Sequence, residues 1–182
     1  MALLIIAVTP PDFIPGEPER INEILSSGKA DLVHIRKPYS EYDEMERLIS
    51  SIKPELHPKL KIHDHFELLE KFNLGGIHLN SRNRKIYPKA ESVSVSLHDL
   101  NDIQNAKSFD YFFISPIFNS ISKPGYNSKF ILNEISPVIR GTKAIALGGV
   151  TPYKFSSLES AGFFGAALLG YFFPSDSSLK TI

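Results

Sequence analysis

The sequence predicts an α/β fold, a compact (β/α)8 TIM barrel with short or missing helices after the fourth and eighth strands. Three observations carry this expectation. Eight short apolar runs alternate with amphipathic or polar stretches from one end of the chain to the other. The runs are apolar almost throughout, which marks strands buried on both faces of a parallel sheet. The length allows about 23 residues per βα unit, tight for a barrel that usually takes at least ~200 residues. An open doubly wound sheet of fewer strands is the competing architecture.

In order, the strand candidates are Leu3–Val8, Leu32–Ile35, Leu60–Ile62, Gly76–Leu79, Ser92–Val95, Tyr111–Ile114, Ala144–Leu147 and Ala166–Leu169. Helices are expected at Pro18–Ser27, Ser40–Ile52, Phe66–Phe72, Leu100–Ser108, Ser128–Ile139 and Pro152–Ala161. Ser40 and Asp99 stand where a short side-chain oxygen can accept from a first-turn N–H, capping the second and fourth of these. Gly28 and Gly162 occupy C′ positions, and Pro152 falls in a first turn, where its missing N–H costs nothing. Between strands four and five, Asn80–Glu91 holds Pro88 and little helical pattern, so at most a single turn is expected there. After strand eight only Tyr171–Ile182 remain, too few for a full closing helix. No linker, low-complexity segment or charge block divides the chain, and residues 1–182 read as one domain.

Composition narrows function before any motif does. Twenty basic side chains balance twenty acidic ones, whereas nucleic-acid binders usually show a basic patch or a high isoelectric point. No nucleic-acid partner is expected. The chain has no cysteine, which removes disulfides, thiolate catalysis and iron–sulfur chemistry. Its longest apolar opening, Leu3–Val8, is far below the ~20 residues that span a bilayer and follows no basic n-region. The reading is a cytoplasmic domain without a membrane partner, able to bury about 70% of its unfolded surface without staples. The 13 Phe and 7 Tyr read as core, Tyr111-Phe112-Phe113 and Phe163-Phe164 above all.

In a parallel barrel the chemistry gathers at the C-terminal ends of the strands, and here those ends are polar. Strand two ends in His34-Ile35-Arg36-Lys37-Pro38, strand three in His63-Asp64-His65, strand four in His78-Leu79-Asn80 and strand five in Ser96-Leu97-His98-Asp99. Strand six runs into Ser115-Pro116 and then Ser120-Ile121-Ser122-Lys123-Pro124-Gly125, and strand seven into Gly148-Gly149. A guanidinium at a strand end suits a phosphate or diphosphate, although Arg36 paired with a neighbouring carboxylate would be purely structural. A lysine in a Ser/Pro/Gly loop, such as Lys123, is more often solvated than catalytic. Gly148-Gly149 can be a plain tight turn, but after strand seven two glycines also let backbone N–H groups close on an anion.

His63 and His65, two apart on a strand, would share a face, which opens a hydrolase-type metal reading. Against it, no carboxylate follows strand eight, where Gly170, Tyr171 and Phe172 come next. Asp64 can instead offer Mg²⁺ one oxygen, with substrate phosphates and water supplying the rest.

Taken in order, these segments resemble the thiamine phosphate synthase family and its relatives, the thiazole tautomerases, from Ala7-Val8-Thr9 to Leu169-Gly170. The resemblance is carried by Gly76-Ile77-His78-Leu79, by Asp110-Tyr111 with Ser115-Pro116-Ile117-Phe118 and Lys123, and by Ala144 through Pro152. Ser160-Ala161-Gly162 with Gly165-Ala166-Ala167 completes it. It implies a barrel that joins hydroxymethylpyrimidine diphosphate to a thiazole phosphate, releasing pyrophosphate with Mg²⁺, so the partners are small phosphorylated substrates. The implied chemistry is dissociative: pyrophosphate leaves and the thiazole nitrogen captures a pyrimidine cation, a course that needs positive charge on the leaving group. By the same resemblance Arg36 and Lys123 grip the diphosphate, and Asp64 holds Mg²⁺ with Asn83 at the second ligand position. Ser96 binds the pyrimidine substrate, with His34 and His98 also placed among the substrate-binding residues. Ser120, Ile121, Ser122, Gly149, Leu169 and Gly170 line the thiazole phosphate pocket.

The chain departs from the synthase pattern at four places. Where Gln-x-Arg-x-Lys is typical it has His34-Ile35-Arg36-Lys37-Pro38, and Lys37, though adjacent, lies on the opposite strand face. The usual Asn-Asp reads His63-Asp64, a metal-binding aspartate is replaced by Asn83, and Gly-Pro becomes Ser115-Pro116. Asn83 offers Mg²⁺ only a neutral oxygen. These changes point toward a tautomerase-like isomerase, yet the proton-transferring histidine of that group corresponds to Pro116, which carries no proton. His63, read as a catalytic residue, or His98 would have to stand in. The remaining alternative is a non-catalytic ligand-binding barrel. A missing last helix would expose apolar strand surface for a second copy to cover, which leaves a homo-oligomer open.

Overall fold

The computed structural model describes residues 2–97, 99–119, 128 and 130–174. Its strands are β1 (Leu4–Val8), β2 (Leu32–Ile35), β3 (Leu60–Ile62), β4 (Gly76–Leu79), β5 (Val93–Leu97), β6 (Tyr111–Ile114), β7 (Ala144–Leu147) and β8 (Gly165–Leu168). They follow one another in sequence order around a closed barrel, and neighbouring strands pair in parallel. This is the expected compact (β/α)8 barrel; closure excludes the open doubly wound sheet. Two C-terminal strand ends move: β5 continues past Val95 to Leu97, and β8 stops at Leu168, which leaves Leu169 in the following turn. Contacts gather the chain into two units, Ala7–Val93 and Ser94–Ile182 with Met1–Ile6.

In the unit Ala7–Val93, α1 (Glu17–Ser26) follows β1 and α2 (Tyr42–Ser50) follows β2. α1 buries Ile21, Ile24 and Leu25, and α2 buries Met45, Leu48 and Ile49. Both sets have i, i+3, i+4 spacing and so form one face, each side chain contributing roughly 1.5–3 kcal/mol on burial. The cap of α2 is Glu41 and not Ser40: the Glu41 N–H donates to the Glu44 carboxylate at 2.9 Å in a capping box. Ser40 instead turns its hydroxyl back onto the Lys37 carbonyl at 2.9 Å. The expected helix Phe66–Phe72 is a short 3₁₀ turn, Phe66–Glu70. A second 3₁₀ turn, Pro54–Lys59, holds two prolines that lack the donors a longer helix needs. Among the described residues nothing helical lies between β4 and β5.

Lys37 settles the question of the strand-two cations. Its ammonium is wholly buried with Glu17, 2.7 Å and 2.8 Å from the two carboxylate oxygens. It also donates to the carbonyls of Pro10 at 2.9 Å and Asp12 at 2.7 Å. Burial pushes the Glu17 carboxyl up and the Lys37 amine down. Lys37 ties the β1–α1 connection to β2 and has no donor to spare for a ligand.

In the unit Ser94–Ile182 with Met1–Ile6, α3 (Ile103–Ala106) continues a 3₁₀ turn, Leu100–Asp102, and Asp99 caps that turn by accepting from the Asn101 N–H at 2.9 Å. α4 (Leu132–Ile139) starts later than the expected Ser128. α5 (Phe155–Ala161) extends a 3₁₀ turn opened by Pro152 and ends at Gly162, φ +92°. Phe163 is core, but Phe164 is exposed, so only half of that aromatic pair behaves as expected. Beyond β8 the chain turns, and the N–H groups of Phe172 and Phe173 both donate to the Leu169 carbonyl. The expectation of no full closing helix concerns Tyr171–Ile182, of which residues 175–182 lie outside the described residues. Among the described residues no helix is long and apolar enough to cross a membrane.

Candidate active site

The unit Ala7–Val93 brings five polar strand-end side chains together. Arg36 follows β2, half-buried, its backbone N–H donating to the buried Thr9 hydroxyl at 3.0 Å. Asp64 follows β3 and is buried. After β4 the chain closes on Asn80: the Asn80 amide oxygen accepts from the N–H groups of Arg82 at 2.9 Å and Asn83 at 3.2 Å. Such side-chain-to-backbone bonds two and three residues on are how asparagine shapes a turn. The Asn80 amide nitrogen meanwhile donates to the His63 carbonyl at 2.8 Å, pinning the turn to the end of β3. Held this way, Arg82 lies 3.2 Å and 3.3 Å from the two Asp64 oxygens through one guanidinium nitrogen, and Asn83 donates to Asp64 at 2.7 Å. Arg36 stands in the same field: burial, then Arg82, pull its pKa down, while Asp64 raises it.

Behind this rim sit three histidines, His34 on β2, His63 just past β3 and His78 on β4, all buried. His34 Nδ1 is 2.9 Å from His63 Nε2, and the rings of His63 and His78 stack with centroids 4.2 Å apart. Burial is the main reason that all three titrate far below the ordinary histidine value, His78 at about 3. The rings are therefore neutral and offer nitrogens as hydrogen-bonding partners. Their ligand atoms lie within 4.8 Å of one another, but the positive charges of Lys61, Arg36 and Arg82 surround them. That field opposes a cation.

The pairing of His63 with His65 does not form. β3 ends at Ile62, so strand alternation does not reach these residues. His65 adopts a left-handed φ of +55° and turns its ring onto the Ser40 carbonyl at 2.7 Å. A local reversal carries it away from the barrel histidines.

In the other unit, Ser96 is half-buried on β5 opposite Phe113. Leu169 is half-buried and Gly170 exposed in the turn after β8. Gly148 and Gly149 follow β7 with φ of +92° and +62°. A Cβ on Gly149 would lie 2.3 Å from the Asn119 carbonyl oxygen and 2.8 Å from that of Phe118. The close approach here is of chain to chain, which gives the double glycine a steric reason besides any anion. Gly149→Ala is expected to cost roughly 2–3 kcal/mol, through left-handed strain and overlap with backbone that cannot yield. Thermal unfolding of the variant checks it. Lys123, Ser120, Ile121, Ser122 and His98 lie outside the described residues.

Two site residues escape a reading of motifs. Arg82 lies in a segment expected only to be loop, and Asn80 is visible as a polar strand end without a role. The available signal is the spacing Asn80-x-Arg82-Asn83, in which an Asn-initiated turn hands the next two polar side chains to the neighbouring strand.

A family model described as thiamine monophosphate synthase matches residues 5–171. Among solved structures the chain is similar to a thiamine phosphate pyrophosphorylase from Bacteroides thetaiotaomicron, 34% identical over 100% of this chain and 90% of that one, with a TM-score of 0.83. A thiamine phosphate pyrophosphorylase from Pyrococcus furiosus, 17% identical, matches 92% of this chain and 86% of its own with a TM-score of 0.74. A (S)-3-O-geranylgeranylglyceryl phosphate synthase from Thermoplasma acidophilum, in complex with sn-glycerol-1-phosphate, is 16% identical, with coverage of 96% and 87% and a TM-score of 0.61. These last two likenesses are of fold. No curated protein sequence matches the chain. With one family model spanning nearly all of its length, this chain belongs to the thiamine monophosphate synthase family.

Proposed function

We propose that the protein is a transferase of thiamine biosynthesis that joins hydroxymethylpyrimidine diphosphate to thiazole phosphate. The C–O bond between the pyrimidine methylene and the diphosphate breaks, and pyrophosphate departs with the electron pair. The thiazole nitrogen then forms the new C–N bond to the methylene cation. Both fragments are small phosphorylated molecules. Barrier lowering in such a step comes from fixed positive charge where the leaving group gathers negative charge.

Arg36 is the observation that carries this reading. It is a half-buried guanidinium at the end of β2, and its pKa is lowered chiefly by burial, so its charge is poorly screened by water and acts strongly on an anion. Lys123 is assigned the second grip on the diphosphate, Ser96 the pyrimidine, and Gly149, Leu169 and Gly170 the thiazole phosphate; these roles rest on the family resemblance. Arg36→Ala is expected to lower kcat/KM about 100-fold, the usual scale for removing one charge-stabilising donor, in a coupled assay of pyrophosphate release. Wild-type protein that releases no pyrophosphate from the two substrates, with or without Mg²⁺, overturns the reading.

A resident Mg²⁺ does not fit Asp64 and Asn83 as they are arranged. The Asn83 amide nitrogen donates to Asp64 at 2.7 Å and to the His63 carbonyl at 3.1 Å. Both partners accept only, so the amide cannot be turned to aim its oxygen at an ion beside Asp64. Arg82 already bridges both Asp64 oxygens. The isomerase alternative draws less support. Pro116 has no proton, and His63 is held neutral by burial and cannot serve as a proton donor in its cationic form.

A further inference from the structure

We infer that Arg82 is a diphosphate-binding residue that does the work of a divalent cation, pairing with Arg36 to form a clamp that needs no metal ion. The inference rests on the proposed transferase reading for the identity of the anion. It rests on the geometry for the site itself.

Four observations support it. First, among the described residues Asp64 is the one carboxylate in contact with this cluster, and its charge is taken up by Arg82 at 3.2 Å and 3.3 Å. Arg36 and Arg82 together carry two positive charges against that single negative one, and the two guanidinium groups repel within each other's field. An anion between them relieves the repulsion. Second, Arg82 meets Asp64 through Nη2 alone; among the described residues its Nη1 and Nε make no hydrogen bond. Those are the donors that a phosphate oxygen pair would take. Third, the guanidinium is 37% exposed while Asp64 is 11% exposed, so a ligand can reach Arg82 although the carboxylate that anchors it is shielded. Fourth, the placement is built: Asn80 organises the turn from both ends, accepting from the Arg82 and Asn83 N–H groups and donating to the His63 carbonyl.

The departure at Asn83 then has its counterpart in the neighbouring Arg82. An aspartate in place of Asn83 would put a second negative charge beside Asp64, which suits a divalent ion. Asparagine removes that charge, and the neighbouring Arg82 supplies a fixed positive one on the protein instead. Lys37 cannot make up for Pro38, since its ammonium is committed to Glu17, Pro10 and Asp12.

Inorganic pyrophosphate is the probe, titrated calorimetrically into the full chain in EDTA and again in Mg²⁺. The expected result is binding by the wild type in EDTA that Mg²⁺ changes less than about threefold, with Arg82→Ala weakening it at least about tenfold. Arg82→Lys, which keeps the charge and loses the fork, should fall between the two. The double variant Arg82→Ala/Asn83→Asp should bind pyrophosphate only when Mg²⁺ is present. Wild-type binding that vanishes in EDTA, or Arg82→Ala binding like wild type while circular dichroism shows it folded, overturns the inference. The binding assay is independent of turnover. Metal-free binding through Arg82 without pyrophosphate release sinks the transferase reading and spares the clamp; turnover with a silent Arg82→Ala does the reverse.

Discussion

Acidification from about pH 7.5 to about pH 5.5 is expected to cost this fold about 4 kcal/mol of stability. His34, His63 and His78 are fully buried and their pKa values lie far below the ordinary 6.5, His78 at about 3. In the unfolded chain each binds a proton as the pH falls through 6.5; in the folded chain none does. A depressed folded pKa means stability that is present above the unfolded value and lost below it. Across this window each histidine therefore loses somewhat more than about 1 kcal/mol, and three such losses add. Urea unfolding at a series of pH values measures the slope. Restoring the residues typical of the family, His34→Gln with His63→Asn, should remove about two-thirds of it, whatever it does to stability at neutral pH. A wild-type profile flat across this window, or a double variant as steep as the parent, refutes the account.

The second large effect lies in the Glu17–Lys37 pair. Replacing Lys37 by Met leaves the Glu17 carboxylate buried without its partner, and the expected loss is roughly 3–5 kcal/mol, the cost of an uncompensated buried charge. The pH response of this variant has the opposite sign to that of the histidines. Burial already raises the Glu17 pKa, and loss of Lys37 removes the two largest influences that lower it. A raised folded pKa gives stability at low pH that fades as the pH climbs, so Lys37→Met should suffer least in mild acid. Pairing it with Glu17→Leu should recover most of the loss, because the site then holds two apolar side chains and no charge. If Lys37→Met unfolds within about 1 kcal/mol of wild type at pH 7, the pair is not the tie it is described to be.

Much of the barrel is legible in the chain itself. Buried parallel strands must be apolar on both faces, and eight such runs with amphipathic segments between them leave few architectures. Lys37 falls on the side that continued strand alternation gives it, away from Arg36, although β2 itself ends at Ile35, and its ammonium lies buried against Glu17. The same argument fails one element later. His63 and His65 satisfy the alternation rule only if the strand extends through them, and β3 stops at Ile62. A single left-handed residue, His65, was enough to send the second ring to the Ser40 carbonyl.

The helix ends divide along the same line. Asp99 caps as expected because the interaction spans two residues and needs nothing distant. Ser40 does not cap, since its hydroxyl finds the Lys37 carbonyl first and Glu41 with Glu44 closes the helix instead.

What the sequence by itself determined is the strand order, the periodic burial of α1 and α2, and the placing of Arg36 and Asp64 at strand ends. These follow from spacing along one chain. What only the tertiary structure decided is which charges meet. Arg82 belongs to the site because the Asn80 turn lays it across the end of β3, 18 residues away in sequence from Asp64. His78 joins His34 and His63 because β2, β3 and β4 bring their rings together in a buried space, stacked on His63 and edge-on to His34. Electrostatic energy depends on distance in space and on exclusion of water, and neither can be read from separation along the chain.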